Sequence, residues 1–392
     1  MAVYLMRYFF WRNSKTSAQF EISLVLIAFK TPGGRTMVIG GCQRRLKEIL
    51  VKFIYFTDIH LDTGIDARAG FEACLESMLA HEPELLINGG DLGITTTALE
   101  QYAEIMAGVD VPVLLSHGNH EMCSGYLPRD QAGKVHLSHD AGGVHFVVLD
   151  VVRYFEPTEE HPSNWHVLAD EMLLQWLADD LAAVDPTTPL VVASHVALST
   201  TFPQRMGQAP GGEFPTNEIA GVGRLKALLQ PFVQVATLHG HDHENCRHFV
   251  GNIEVMTTAA VAGNWWKGGL ESSGPSGREP QGYRVVEVGD DGSFSSRYHA
   301  FVPDQGDEVE VVRQQESGRR FVNVFDGSPR TRVEVEGLGP LAPIDPLAES
   351  TRGLATHLWE LPAAFDRAQV EVRVDFEDGR QVKGVLEERD WG

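Results

Sequence analysis

The chain has 392 residues, 43% of them hydrophobic and 22% charged, which is a globular composition with length for a large core and a second, smaller one. Its net charge of −22 argues against long nucleic acids as substrates; a small anion would need a local positive charge, and bound metal ions supply one. No apolar run approaches the ~18 residues of a membrane-spanning helix, so stable membrane insertion is not expected, and Cys42, Cys74, Cys123 and Cys246 lack the spacing of a disulfide framework or zinc ribbon.

Residues 1–51 carry a net charge of +6, which leaves −28 for the remainder. This basic, aromatic start and the apolar stretch Ile22–Phe29 loosely resemble a signal segment, and Ile39-Gly40-Gly41-Cys42 resembles a weak lipobox. The apolar stretch is short, however, and no small-residue cleavage site follows it. Residues 1–50 are therefore read as an N-terminal extension, non-native or mis-started ahead of Met37, with an exported or lipid-anchored form as the alternative to a cytoplasmic one.

Regular patterning begins near residue 50. VKFIYF is a continuous apolar run, the mark of a strand buried on both faces. ARAGFEACLESMLAH has helical spacing, ELLING is a second strand, and TTALEQYAEIMAG predicts a helix with threonines available to cap it. VPVLLS, VHFVVLD, TPLVVASH, VQVATLHG, IEVMTTAAV and YRVVEV predict further strands, with helices over ADEMLLQWLADDLAAV and GRLKALLQPF. Strand–helix alternation of this kind predicts a sheet covered by helices. Beyond residue 303 only short alternating runs remain: FVNVFDG, TRVEVEG, QVEVRVDF and QVKGVLEE. They predict a small all-β domain over 304–392, most simply a sandwich, behind a catalytic domain over 51–303.

The predicted strands end in an unusual way. They stop in Thr57-Asp58-Ile59-His60, in Gly89-Gly90-Asp91, in Gly118-Asn119-His120-Glu121, in His195 and in Gly240-His241-Asp242-His243. The C-terminal edge of an open α/β sheet is where ligands bind. Nitrogen and oxygen donors without thiolate suit Mn, Fe, Co, Ni or Zn better than Ca. Taken singly, His60 or His195 reads as an ordinary hydrogen-bonded histidine, and Asp58, Asp91 or Asn119 as a turn residue. Five such pieces at consecutive strand ends point jointly to metal.

In this order the set resembles the calcineurin-like metallophosphoesterase superfamily, whose pattern runs DxH, GDxx(D/N), GNH(D/E), a lone His, then GHxH. The downstream segments AGNWWKGG, QGYRVVEV, VNVFDG and THLWELP resemble a bacterial subgroup with a calcineurin-like C-terminal domain. One departure is Gly93-Ile94, where many relatives have a polar residue. The resemblance implies a four-layer αββα sandwich with a small all-β C-terminal domain. It implies that Asp58, His60 and His243 hold one metal, that Asn119, His195 and His241 hold another, and that Asp91 bridges them. The cofactors would be two divalent or trivalent transition metal ions, Mn, Fe or Zn. His120 would be no ligand; it would face the phosphate, with Asn119, and assist the leaving group as a metal-bridging hydroxide attacks phosphorus.

For substrate, the expectation is a small phosphodiester. Phosphomonoesters and promiscuous action on triesters or phosphonates are the alternatives, and an inactive metal-binding scaffold is the remote one. Trp265, Trp266, Arg205 and Asn264 are the candidate substrate contacts, each also readable as a packing or solvated residue. The lone histidines, among them His117, His145 and His239, read as packing residues, and Glu121 and Asp242 as groups that orient neighbouring histidines or as solvated loop residues. Small phosphate esters are the expected partners, and homo-oligomer formation is left open.

Overall fold

The structure is a computed structural model. It describes residues 49–63, 67–123, 135–155, 159, 164–207, 215–261, 277, 280–300, 308–315 and 317–391, together with three strands ahead of them. Those strands, Tyr4–Met6, Leu26–Lys30 and Thr36–Gly40, pair antiparallel within a separate unit, Met1–Glu48. Ile49–Gly392 forms one compact unit.

Within that unit two sheets lie face to face. In the first, Ile49–Phe56, Leu85–Asn88 and Val113–Leu115 run parallel, and Gly282–Gly289 and Phe294–Ala300 add antiparallel strands beside Ile49–Phe56. In the second, Val144–Leu149, Leu190–Ser194, Val235–His239 and Ile253–Thr257 run parallel, flanked by antiparallel edges Leu137–Ala141 and Cys246–Val250. The run VKFIYF shows why its residues are apolar except for Lys52. Val51, Phe53 and Tyr55 face the opposite sheet, while Ile54 and Phe56 face the helices Ala67–Leu79 and Thr96–Met106. Phe53 meets Phe146 of the other sheet edge-to-face, ring centroids 5.1 Å apart. Val147, Leu149 and Val192 turn outward onto the helices Glu171–Leu181 and Val222–Leu229. The layers are therefore helix, sheet, sheet, helix, as expected.

Two expectations need correction. The N-cap Thr95 makes no side-chain cap bond. The carboxylate of Asp62 instead accepts from Ile94 N at 2.8 Å and from Thr95 N at 2.5 Å, so a residue from the loop after Ile49–Phe56 fixes the backbone entering this helix. The C-terminal strands do not form two separate sheets. They make one continuous seven-stranded sheet, in which the long strand Gln381–Trp391 pairs antiparallel with Gln369–Asp375 and parallel with Val309–Gln314. Its alternate residues, Val311, Val322, Val333, Trp359 and Val372 among them, share one core, so the sheet curls around its own apolar face.

His145 is a packing residue with a charge role. Its Nδ1 lies 2.7 Å from Asp140 Oδ1 and its Nε2 lies 2.9 Å from Asp180 Oδ2, which joins the 137–149 hairpin to the helix Glu171–Leu181. Burial pushes its pKa down, but the two carboxylates outweigh burial and raise it. A raised histidine pKa contributes stability below the unfolded value of about 6.5 and loses it as pH rises through the folded value. His145→Gln should therefore lower the melting temperature most at pH 5.5–6. The gap to wild type should close toward pH 10 in calorimetric melts across that range.

Among the described residues no helix is long and apolar enough to cross a membrane.

Candidate metal centre

The polar strand ends converge. Asp58, His60, Asp91 and His195 are buried, Asn119 nearly so, and His120, His241 and His243 are half-buried. The backbone that carries them is uncommon. Asp58, His60, Asp91, His241 and His243 have φ of 57°, 47°, 57°, 68° and 53°, and Glu82 is the one other non-glycine with positive φ among the described residues. Left-handed backbone costs L-residues roughly 1–2 kcal/mol each, so something must hold it. Asp58 N donates to Gly90 O at 3.0 Å, His60 N to Asp91 O at 3.1 Å and Gly240 N to His195 O at 2.9 Å. These bonds lace neighbouring strand ends together. Glycines allow the approach: a Cβ at Gly118 would sit 2.1 Å from Asp91 Oδ1, and one at Gly240 would sit 2.3 Å from Asp58 Oδ2.

Three groups of donors result: Asp58, His60 and His243; Asp91, His195 and His241; and His60, Asp91 and His120, each set of ligand atoms within 4.8 Å. His243 Nε2 is 3.1 Å from both Asp58 Oδ1 and His60 Nε2. Asp91 Oδ2 is 3.3 Å from His195 Nε2, 3.6 Å from His120 Nε2 and 4.0 Å from His60 Nε2. Asp91 thus belongs to two of the three sets, and His60 joins those to the set with Asp58 and His243. Asn119 Oδ1 is 3.1 Å from His195 Nε2, and His195 Nδ1 donates to Gly89 O at 2.9 Å, which fixes the ring so that Nε2 faces the site.

The electrostatics follow from burial and from the charges these groups exert on one another. Burial alone would raise Asp91, but His195, His120 and His60 together hold it well below the usual carboxylate range. Asp58 is likewise lowered against burial, mainly by His243. Burial takes His60 down to about 4 and His241 to about 3, so both rings are neutral with lone pairs available. His195 goes the other way, to about 10, because Asp91 more than offsets its burial. Two anionic carboxylates and converging imidazole nitrogens are a donor set that fits a pair of transition metal ions. That cofactor would be held by Asp58, His60 and His243 on one side, by His195, His241 and Asn119 on the other, with Asp91 between.

Residues 51–245 match the family model for calcineurin-like phosphoesterases. The chain belongs to the calcineurin-like phosphoesterases. It is a metal-dependent phosphoester hydrolase by that membership. No curated protein matches it. Among solved structures it resembles a dimetal phosphatase from Danio rerio, at 12% identity over 71% of this chain and 100% of that one, with a TM-score of 0.49. It also resembles a purple acid phosphatase from yellow lupin seeds, at 13% identity over 72% of this chain and 58% of that one, TM-score 0.44. A third is the anchor protein of the inner membrane complex of Plasmodium, at 11% identity over 66% of this chain and 86% of that one, TM-score 0.43.

In this phosphoesterase several supporting residues go beyond the motif residues. Glu121 is no solvated loop residue: it is buried and accepts from the backbone N–H groups of Asp91 at 3.1 Å, Leu92 at 2.7 Å and Gly118 at 2.6 Å, which ties the loops that carry Asp91 and Asn119 together. Burial and then Asp91 push it up to about 7. Asp242 is buried as well and accepts from Thr200 Oγ1 at 3.0 Å. His239 is a packing residue, as expected, donating from Nδ1 to Ser194 O at 3.0 Å. The Gly93 departure has a steric cause: a Cβ there would sit 2.3 Å from Ala98 Cβ and 2.6 Å from Asp62 Oδ1.

Arg205 is a correction. It is 1% exposed, and its guanidinium is committed to Glu244 through both terminal nitrogens, to Leu354 O at 3.0 Å and to Thr201 Oγ1 at 2.9 Å. No surface is left for a substrate phosphate. Sequence reasoning missed this role because the partners lie 39 and 149 positions away. Trp265, Trp266 and Asn264 lie outside the described residues.

Proposed function

We propose that this chain is a dinuclear-metal phosphodiesterase acting on small substrates. The observation that carries the reading is Asp91 shared by two donor sets, one with His195 and His241 and one with His60 and His120, with His120 3.6 Å from its carboxylate. Two cations in such sets screen phosphoryl charge and activate water near neutral pH. The protein's own part is geometric. Asp91 Oδ1 accepts from His120 N at 2.9 Å, and Oδ2 faces the His120 ring, so one carboxylate orients both backbone and side chain of the proton-carrying residue. His120 is 12% exposed in its side chain, reachable by substrate, and donates the proton that the leaving alkoxide needs. Asn119 beside it is both a ligand and a phosphate contact. The net charge of −22 favours small esters over polyanions. Residues 51–303 form the catalytic part and 304–392 the β part in this reading.

The test is hydrolysis of bis(p-nitrophenyl) phosphate and p-nitrophenyl phosphate by purified protein with Mn²⁺. The diester should be preferred in kcat/KM. A monoester preference would overturn the diesterase assignment, and turnover of neither would overturn the enzyme reading. His120→Ala should keep its metal content and lose roughly 10²–10⁴-fold in turnover, with the larger loss for poorer leaving groups. Loss of metal in that variant would instead make His120 a ligand.

A further inference from the structure

The loop 215–220 brings to the centre a side chain that none of the motifs contains. Val167 holds this loop at both ends: its N–H donates to Pro215 O at 2.9 Å, and its carbonyl accepts from Ala220 N at 3.1 Å. Between these anchors Thr216 Oγ1 donates to Asn217 Oδ1 at 3.0 Å, leaving the amide NH₂ directed elsewhere. Asn217 Nδ2 lies 3.4 Å from His241 Nε2. Trp165, on the strand that holds the loop, packs edge-on against the same His241 ring, centroids 5.7 Å apart.

We propose that Asn217 is a substrate-positioning residue, whose side-chain NH₂ donates to a phosphoryl oxygen on the His241 side of the metal centre. The proposal rests on the dinuclear reading above. The lone pair of His241 Nε2 serves one partner at a time. With a cation on that nitrogen the Asn217 amide loses its acceptor, and an anionic phosphoryl oxygen replaces it with a stronger, charge-assisted one. An uncharged donor also suits the place. A lysine or arginine there would repel the cations that Asp91, His195 and His241 are arranged to hold, and Arg205 is spent on Glu244. Because the loop is pinned on both sides and the amide is set by Thr216, the donor is in position before substrate arrives.

Inorganic phosphate is the probe, titrated calorimetrically into the Mn²⁺-loaded protein, with metal content measured on the same samples. Asn217→Ala should keep the wild-type metal stoichiometry, weaken phosphate binding roughly ten- to hundredfold, and raise KM for the diester more than it lowers kcat. Asn217→Asp should weaken phosphate further through like charge. Unchanged phosphate affinity in both variants would overturn the proposal, as would loss of a metal ion in Asn217→Ala, which would make Asn217 a ligand. Failure of the wild type itself to bind metal would sink the dinuclear reading instead, so the two failures are distinguishable. Thr216→Val, which frees the amide to turn, should weaken phosphate less than Asn217→Ala.

Discussion

Asp91→Ala should abolish stoichiometric metal binding and, with it, turnover. Asp91 is 1% exposed, and its carboxylate lies within 4.0 Å of His60, His120 and His195. Removing a group that merely supports a ligand costs about 10–100-fold in metal affinity. A carboxylate shared by both donor sets should cost more than ~100-fold at each. Asp91→Asn is the sharper variant, since it keeps the shape and an oxygen for the His120 N–H while removing the charge. Calorimetric titration with Mn²⁺ reads both variants, and two ions still bound per chain in Asp91→Ala would refute the bridging role.

Arg205→Met should destabilise the fold by about 3–5 kcal/mol, because it leaves the Glu244 carboxylate buried at 1% exposure without its counter-charge. The paired replacement Arg205→Met with Glu244→Leu should recover most of that loss, since removing both charges avoids the penalty of one left unpaired. Urea unfolding of the three proteins gives the comparison. Equal stability of wild type and Arg205→Met would mean that the ion pair is not held as described. Glu244 directly follows His243, so the single variant should also weaken metal binding through the loop, beyond what a loss of overall stability explains.

The contrast between these two residues shows what the sequence makes legible. Asp91 is readable because the chemistry is local: a buried strand ends, glycines permit the tight approach, and the acid follows at once. The same holds for Asp58-x-His60 and His241-x-His243, where two candidate donors sit one residue apart on left-handed backbone. The inner strands are readable because burial on two faces keeps them mostly apolar. Arg205 is not readable, because nothing near it distinguishes a surface arginine from one paired with residues far along the chain. Asn217 carries no local signature either; its role comes from Val167 pinning a loop 48 to 53 residues downstream. Asp62 in place of a capping threonine is a failure of the same kind, a tertiary acceptor displacing a local one. The single continuous β sheet was hidden because alternating strands look alike whether they pair into one sheet or two.

The buried charges have a consequence for anyone trimming this protein. The family match ends at residue 245, yet Arg247 and Arg284, 3% and 0% exposed, both turn to Asp326, which also meets Arg380 at 3.4 Å. A fragment cut before Asp326 would keep two arginines in its interior with their shared anion gone, and would take Leu354 O from Arg205 as well. The smallest workable expression unit is therefore set by where counter-charges lie and not by where motif similarity stops.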